Sequence, residues 1–280
     1  MKTVAGVKNY AEAETMLRLG AEELYGGLAA VPNHRPPGQS FRDIEELKAA
    51  VRLARERGKR FSFLISQLDS EPDYEETLSI VAELDRAGLA ACIVSELPVL
   101  ERLRAMNLQA RLTVSSLALC FNLPALRRFK ELGASRVVLP FHLTPEEAAP
   151  LLKNRLGMET EVLFHADFCC VNTDPACRLC GAGHEAKTCR YSYKGSQGPW
   201  KMPEANAPEK MRSVYGFYHG GAQYLKIIRM NNFDEELKVF KFARMLAELL
   251  QRGVSEEDFT RMGEKLYFSA SRHAGSWKRR

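Results

Sequence analysis

The chain has 280 residues, of which 45% are hydrophobic and 27% are charged, so it can bury a full core. Its formal net charge of +5 favours an anionic partner but is too small to indicate nucleic-acid binding by itself. No stretch is apolar enough for a membrane span, and the first residues lack the apolar segment of a signal peptide. We therefore expect a cytoplasmic protein without a membrane partner, whose seven cysteines bind metal or are buried rather than form disulfides.

Short apolar runs alternate with longer amphipathic stretches along most of the chain. Strands are predicted at 2–4, 23–27, 60–66, 90–95, 111–115, 136–140, 161–165 and 224–229. Eight strand–helix units predict a TIM-like (β/α)8 barrel, with a doubly wound open sheet as the alternative. The predicted barrel covers residues 1–253 and includes a long cysteine-rich loop, 166–220, after strand seven. Residues 254–280 are predicted to form one short C-terminal helix and a basic tail.

The loop after the seventh predicted strand contains five of the seven cysteines within 21 residues: Cys169, Cys170, Cys177, Cys180 and Cys189. Four thiolates on a loop that can wrap around a metal suit a [4Fe–4S] cluster. Structural zinc is the alternative cofactor, because two of these cysteines have the spacing of a zinc knuckle. Burial of the thiols as small apolar groups is the third interpretation, and the polar, glycine-containing loop argues against it. Outside the loop, Cys92 lies within a predicted strand, where we expect a buried thiol, and Cys120 is a candidate distant ligand.

Several segments of the chain resemble the U32 "peptidase" family. Glu22–Gly27 is similar to the family's GADAVYxGG stretch, and Phe41–Arg60 is similar to its F-x-x-E-E-L-K helix with the glycine and lysine that follow. The most specific match joins Phe164-His165-Ala166, Cys170, Cys177 and Cys189-Arg190 to the family signature H-G-A-L-C-x₆-C…C-R. The resemblance spans about 230 residues.

The resemblance implies a TIM-like barrel with a [4Fe–4S] cluster. It also implies oxygen-independent hydroxylation of RNA bases or ubiquinone precursors, with prephenate as hydroxyl source. We therefore predict a hydroxylase-like enzyme that acts on a small anionic or aromatic substrate or a nucleobase, with RNA as an alternative partner. A non-catalytic or electron-relay subunit paired with a homologous U32 chain is the first alternative. A peptidase is the second, although the sequence has no HExxH motif and no serine or cysteine elbow.

The chain departs from the family pattern at three strand ends, and its pocket is therefore expected to differ. Ser115-Ser116-Leu117 replaces S-T-Q, Pro140-Phe141-His142 replaces A-R-E, and Leu225–Arg229 replaces L-K-I-E-G-R without the glutamate. Some members take a fourth cysteine from beyond the last strand, where this chain has none. The expected ligands are therefore Cys170, Cys177, Cys180 and Cys189, with Cys169 or Cys120 as replacements for Cys180.

Candidate residues other than the cysteines lie at the predicted strand ends. His165 and Asp167 follow strand seven, where the histidine has a suitable intrinsic pKa for acid–base work, unless it is simply held by the backbone. Lys226, Arg229 and Arg190 are candidates for holding a carboxylate or phosphate, and neutralising an anionic cluster is the alternative role. Tyr25 is a further candidate for binding substrate, and the two glycines after it predict either a close backbone approach or a turn with positive φ.

Overall fold

The computed structural model describes residues 1–31, 33, 38–66, 71–164, 193–196, 198–200, 206–230 and 232–272. Within these residues the predicted alternation of strands and helices is observed. The strands are β1 (Lys2–Gly6), β2 (Glu23–Gly26), β3 (Arg60–Ile65), β4 (Ala91–Val94), β5 (Arg111–Val114), β6 (Ala134–Val138), β7 (Glu159–Phe164), β8 (Tyr193–Gly195), β9 (Gly198–Trp200) and β10 (Tyr224–Ile227). The helices are α1 (Tyr10–Arg18), α2 (Ile44–Glu56), α3 (Glu71–Ala87), α4 (Leu97–Ala105), α5 (Leu123–Glu131), α6 (Pro145–Leu152), α7 (Ala207–Gly220), α8 (Phe233–Gln251) and α9 (Glu256–Arg272).

Eight parallel strands close into a barrel in the order β1-β10-β7-β6-β5-β4-β3-β2, which confirms the predicted TIM-like (β/α)8 fold. The closing pair is β1 with β10, in which Lys2 lies opposite Tyr224 and Val4 lies opposite Lys226. Strands β8 and β9 form a separate antiparallel hairpin. Because all barrel strands run the same way, their C-terminal ends meet on one face, where barrel enzymes carry their functional loops.

The hydrophobic core lies mainly between the barrel wall and the surrounding helices. Leu24, Phe63 and Val94 point outward from their strands and pack against residues such as Leu47 of α2 and Leu100 of α4. The barrel interior holds a smaller apolar group, formed by Val4, Tyr25, Ile93, Tyr224 and the partly buried Leu64. The rest of the interior is polar and charged. Among the described helices, none is long and apolar enough to cross a membrane.

Two helical segments differ from the sequence interpretation. The sequence of residues 166–220 shows little hydrophobic periodicity, so no helix was predicted there. The structure nevertheless has α7 at Ala207–Gly220, where Asn206 and Glu209 make a capping box and Pro208 occupies the first turn. These capping signals were present in the sequence, but the weak amphipathic pattern concealed them. At the other end of the chain, α9 runs for 17 residues rather than forming one short helix before the tail.

The glycines after Tyr25 permit a close approach rather than a turn with positive φ, because neither has a φ in that region. A Cβ atom on Gly26 would lie 2.9 Å from the ring of Phe41 and 3.1 Å from the carbonyl oxygen of Val7. A Cβ atom on Gly27 would lie 3.1 Å from both the Asn33 and the Ser40 side chains. The prediction of a close backbone approach is therefore confirmed, and the prediction of a positive-φ turn is wrong.

Candidate functional site

An ionic network fills much of the barrel interior below the C-terminal mouth. Nη1 of Arg136 lies 2.9 and 3.0 Å from the two carboxylate oxygens of Glu23 and 2.9 Å from Oε2 of Glu161. The Arg136 side chain is 4% exposed, and both carboxylates are 1% exposed. Burial disfavours the charged form of the Arg136 guanidinium, but Glu23 and Glu161 outweigh that effect and raise the pKa of Arg136. The guanidinium therefore holds two buried carboxylates together across three strands.

Three further charged side chains extend this network inside the barrel. Nε of Arg60 lies 3.2 Å from Glu23, and Glu159 lies 3.4 Å from Nε of Arg136. Nζ of Lys226 lies 3.2 Å from Oε1 of Glu161. Among the described residues, three carboxylates thus face three cations, Arg60, Arg136 and Lys226. The buried charges are balanced, which is the condition under which a buried network is tolerated.

Tyr224 closes the network at the N-terminal end of the barrel. The Arg136 guanidinium lies 3.6 Å from the centre of the Tyr224 ring, the Arg60 guanidinium lies 5.1 Å from it, and the Lys2 ammonium lies 5.4 Å from it. The Tyr224 hydroxyl lies 2.7 Å from Nη2 of Arg60 and donates to Glu159 at 2.9 Å. Burial raises the pKa of Tyr224, although the hydrogen bond from Arg60 opposes the effect. This end of the barrel is a structural plug rather than an open site.

Lys226 and Tyr25, two of the predicted substrate-binding residues, meet in the last layer of the interior before the C-terminal mouth. Nζ of Lys226 lies 4.2 Å from the centre of the Tyr25 ring, and the lysine side chain is 8% exposed. The Tyr25 hydroxyl donates to the carbonyl of Ile227 at 3.1 Å and accepts from the backbone N–H of Arg229. Tyr25 of β2 is thus hydrogen-bonded to the backbone at the end of β10, directly beneath the C-terminal mouth.

Arg229 lies just beyond β10, and its guanidinium joins several elements. Nη1 lies 2.8 Å from Glu236 at the start of α8 and 2.9 Å from Glu12 in the first turn of α1. Nη2 donates to the other oxygen of Glu12 at 3.1 Å, and Nε donates to Gln39 at 2.9 Å. The Arg229 side chain is 6% exposed. These contacts favour a structural role for Arg229, and its proposed contact with substrate stays a prediction.

The remaining predicted site residues fall into two groups. The predicted site residues of the cysteine-rich loop lie outside the described residues. They are His165, Asp167, Cys169, Cys170, Cys177, Cys180, Cys189 and Arg190. Cys120 is described and is fully buried after β5, where burial raises the pKa of its thiol to about 11. Cys92 is buried within β4, and burial raises the pKa of its thiol to about 12. Among the described residues, no group of three or more metal-ligating side chains is found.

A cavity of about 240 Å³ lies between the barrel wall and α7. The ends of β6 and β7 line one side through Leu139, Phe141 and Phe164, and α7 lines the other through Met211 and Phe217. The cavity is thus next to the point where the cysteine-rich segment leaves β7. This cavity was not predictable from local sequence patterns, because its walls come from elements far apart along the chain.

The charge of Glu161 gives a testable dependence of stability on pH. Burial works to raise its pKa, but Lys226 and Arg136 prevail and lower the pKa below the usual value. A carboxyl group with a lowered folded pKa stabilises the fold above its unfolded pKa, about 4.3, and that stability is lost as the pH falls. We expect the unfolding free energy of the parent to fall as the pH decreases from about 5 to 3, and Glu161→Gln to lack part of this slope.

Urea unfolding at a series of pH values measures this effect. Glu159→Gln is the matched control, because Glu159 lies on the same strand, is 31% exposed and pairs with Arg136 at 3.4 Å. We expect it to keep the slope of the parent. An acid slope in Glu161→Gln equal to that of the parent would contradict the assigned role of Glu161.

The closed parallel barrel, with its charged interior and its long excursion after β7, defines the class of the protein: a TIM-type (β/α)8 barrel with functional loops at the C-terminal face. The sequence model of peptidase family U32 matches residues 8–255, and the chain belongs to this family. No curated protein sequence matches the chain.

Solved structures agree with the fold. The U32 peptidase Mk0906 is 13% identical with a TM-score of 0.55, covering 82% of this chain and 94% of that one. Tryptophan synthase from Mycobacterium tuberculosis is 10% identical with a TM-score of 0.50, covering 81% of this chain and 82% of that one. At these identities the similarity shows the barrel fold alone.

Proposed function

We propose that the protein is an iron–sulfur enzyme that hydroxylates an aromatic or nucleobase substrate without molecular oxygen. Five cysteines within 21 residues carry this proposal, and the first of them, Cys169, follows the last residue of β7 by five positions. The C-terminal ends of the strands are where barrel enzymes place their reactive groups. Family membership supports the proposal, since resemblance to the U32 family implies a cluster and this reaction.

The cysteines of the loop fit a [4Fe–4S] cluster better than Cys92 and Cys120 do. Cys170, Cys177, Cys180 and Cys189 would supply one thiolate to each iron. Cys92 and Cys120, by contrast, are buried thiols whose raised pKa values keep them protonated and poor as ligands. With a thiolate on each of its irons, such a cluster would supply one-electron transfer.

The proposed reaction replaces a C–H bond of the substrate with C–OH. A donor such as prephenate releases a hydroxide equivalent as its ring loses carbon dioxide and becomes aromatic. The substrate hydrogen leaves as a proton, and two electrons pass one at a time to two equivalents of an external one-electron acceptor. Lys226, beside Tyr25 beneath the mouth, is the proposed anchor for an anionic group of donor or substrate, and His165 with Asp167 is the proposed proton-transfer pair.

The variant Cys177→Ser tests the cluster. We expect anaerobically purified Cys177→Ser to lose its iron, its visible absorption and its EPR signal after reduction, because one of four thiolates is missing. Cys92→Ala is the control, since this thiol is fully buried in β4, and it should keep the iron content of the parent. Equal iron in Cys177→Ser and in the parent would contradict the assignment of this ligand.

A peptidase is the second candidate, favoured by the family name and by the solved relative described as a U32 peptidase. Casein cleavage distinguishes it from the hydroxylase. Cleavage that survives in a variant lacking His165 and every loop cysteine would remove the proposed site and favour peptidase chemistry elsewhere. Copurification of a homologous chain with a cluster but no hydroxylation would favour an electron-relay subunit.

A further inference from the structure

Five connections at the N-terminal end of the barrel share an excess of positive charge. Each runs from the last turn of a helix to the first residue of the next strand, and together they lead into five adjacent barrel strands, β7, β6, β5, β4 and β3. The connections are residues 53–60, 84–91, 102–111, 128–134 and 149–159. They contain twelve arginines and lysines against four carboxylates, a formal charge of +8 that exceeds the +5 of the whole chain. We name this surface the basic face.

Most cations of the basic face are not neutralised within the protein. Five of them bind a carboxylate or a backbone carbonyl: Arg57, Arg60, Arg102, Arg104 and Arg128. The other seven make no ion pair with any residue that the structure describes, and all but Lys59 are exposed. They are Arg55, Lys59, Arg86, Arg111, Lys130, Lys153 and Arg155.

The carboxylates of the basic face are mostly engaged elsewhere. Asp85 accepts from two backbone N–H groups of the following connection, at 3.2 and 2.7 Å. Glu159 lies 3.4 Å from Nε of Arg136 inside the barrel, and Glu131 lies 3.6 Å from Arg128. Because like charges repel one another, the uncompensated cations favour an anionic partner over bare solvent.

Interaction with helix dipoles explains only part of this charge. A cation in the last turn of a helix stabilises the C-terminal end, which accounts for residues such as Arg55 and Arg86. The effect of the dipole falls off beyond the last turn, whereas Lys59 and Arg155 lie in loops and Arg111 begins β5. These three cations are therefore not explained by helix stability.

The chemistry of the basic face favours the phosphate backbone of a double helix over a membrane or a single strand. None of the large hydrophobic side chains that are exposed among the described residues lies in the five connections. Proteins that lie on membranes combine cations with such apolar side chains. Proteins that bind single strands stack bases on aromatic rings, and Phe129, the one aromatic residue in the five connections, is buried. A duplex needs neither, because cations alone bind its phosphates.

We propose that the basic face binds the phosphate backbone of a double-stranded nucleic acid, at the end of the barrel opposite the C-terminal mouth. Five adjacent strands about 4.8 Å apart span roughly 20 Å, the length of about six base pairs. Binding through phosphates alone does not depend on base sequence. The inference does not rest on the proposed reaction, since it uses only the charge and the exposed side chains of the N-terminal end.

Fluorescence anisotropy with labelled RNA and DNA duplexes of about 20 base pairs tests the proposal on the full chain purified without air. If about four to six phosphates are contacted, the association constant should fall about 10²–10³-fold between about 50 and 200 mM salt. Arg111→Gln with Arg155→Gln removes two exposed cations that lie outside the helices. This double variant should bind at least about tenfold more weakly at about 50 mM salt, with a salt dependence that is smaller by about two phosphate contacts.

Arg212→Gln with Lys241→Gln is the matched control, because both side chains are exposed, on α7 and α8, and lie outside the basic face. It has the same change of charge and should bind the duplexes like the parent. Both double variants should keep the Tm of the parent, since all four side chains are exposed. If Arg111→Gln with Arg155→Gln does not fold, Lys130→Gln with Lys153→Gln removes two other exposed cations of the basic face and takes its place.

Binding of either duplex that is weakened only by the basic-face variant supports the proposal, and the duplex that binds more tightly identifies RNA or DNA as the partner. Equal weakening in the control variant, or no binding of either duplex by the parent at about 50 mM salt, would overturn it. Weaker binding of the basic-face variant to phosphatidylserine vesicles, with unchanged binding to the duplexes, would assign this surface to a membrane and also overturn the proposal.

Discussion

Replacing Arg136 with methionine is expected to lower the free energy of unfolding by about 3–5 kcal/mol, because it leaves buried carboxylates without their counter-charge. Arg136 is 4% exposed and contacts both Glu23 and Glu161 within 3.0 Å. After the change, three carboxylates would face only Arg60 and Lys226. Urea denaturation at pH 7 measures the loss.

Two further variants make this prediction specific. Arg128→Met removes a cation that is 59% exposed and has two partners at 3.6 Å, so we expect a change of less than about 1 kcal/mol. The double variant Arg136→Met with Glu161→Gln restores the balance of charge, and it should be more stable than Arg136→Met alone. A double variant that is no more stable than the single one would show that packing, rather than charge, makes Arg136 necessary.

Arg229→Met is expected to cost a similar amount, about 3–5 kcal/mol, because Glu12 and Glu236 would remain buried with no guanidinium between them. The side chains of Glu12 and Glu236 are 7% and 0% exposed. Since Arg229 joins α1 and α8 where the barrel closes, loss of the closing β1–β10 pair should accompany the loss of stability. Hydrogen exchange at the amide of Val4, followed by NMR, reports on that pair.

Arg57→Met is the control for this prediction. Arg57 is 39% exposed, and its ion pair with Glu14 spans 3.5 Å, so removing this side chain should have little effect on stability. Arg229→Met could instead keep the stability and hydrogen exchange of the parent and bind prephenate more weakly. That result would support the predicted substrate contact of Arg229.

The barrel was predictable because each of its units is encoded locally. Strands of four to six residues, such as Arg60–Ile65, alternate with capped amphipathic helices that end near glycines. The count of eight strand–helix units predicted the closed barrel rather than an open sheet. Within the described residues, α7 and the hairpin of β8 and β9 were missed. The capping residues of α7 were not matched by strong amphipathic periodicity.

The charged interior was not predictable, because its contacts join residues far apart along the chain. Arg136 and Glu23 are 113 positions apart, and nothing in the local pattern pairs them. Lys226 and Arg229 looked alike from the sequence, as two cations near the end of the last strand. The structure separates them, since Lys226 points into the barrel beside Glu161, whereas Arg229 binds Glu12 and Glu236 between the barrel and its helices.

Iron and acid-labile sulfide, measured on the full chain purified without air, test the proposed cofactor most directly. We predict about four iron atoms and four sulfides per chain, with little zinc, because four loop thiolates suit a cubane cluster. One zinc ion per chain with no sulfide would contradict the iron–sulfur assignment, and the hydroxylation proposed from it would then fail.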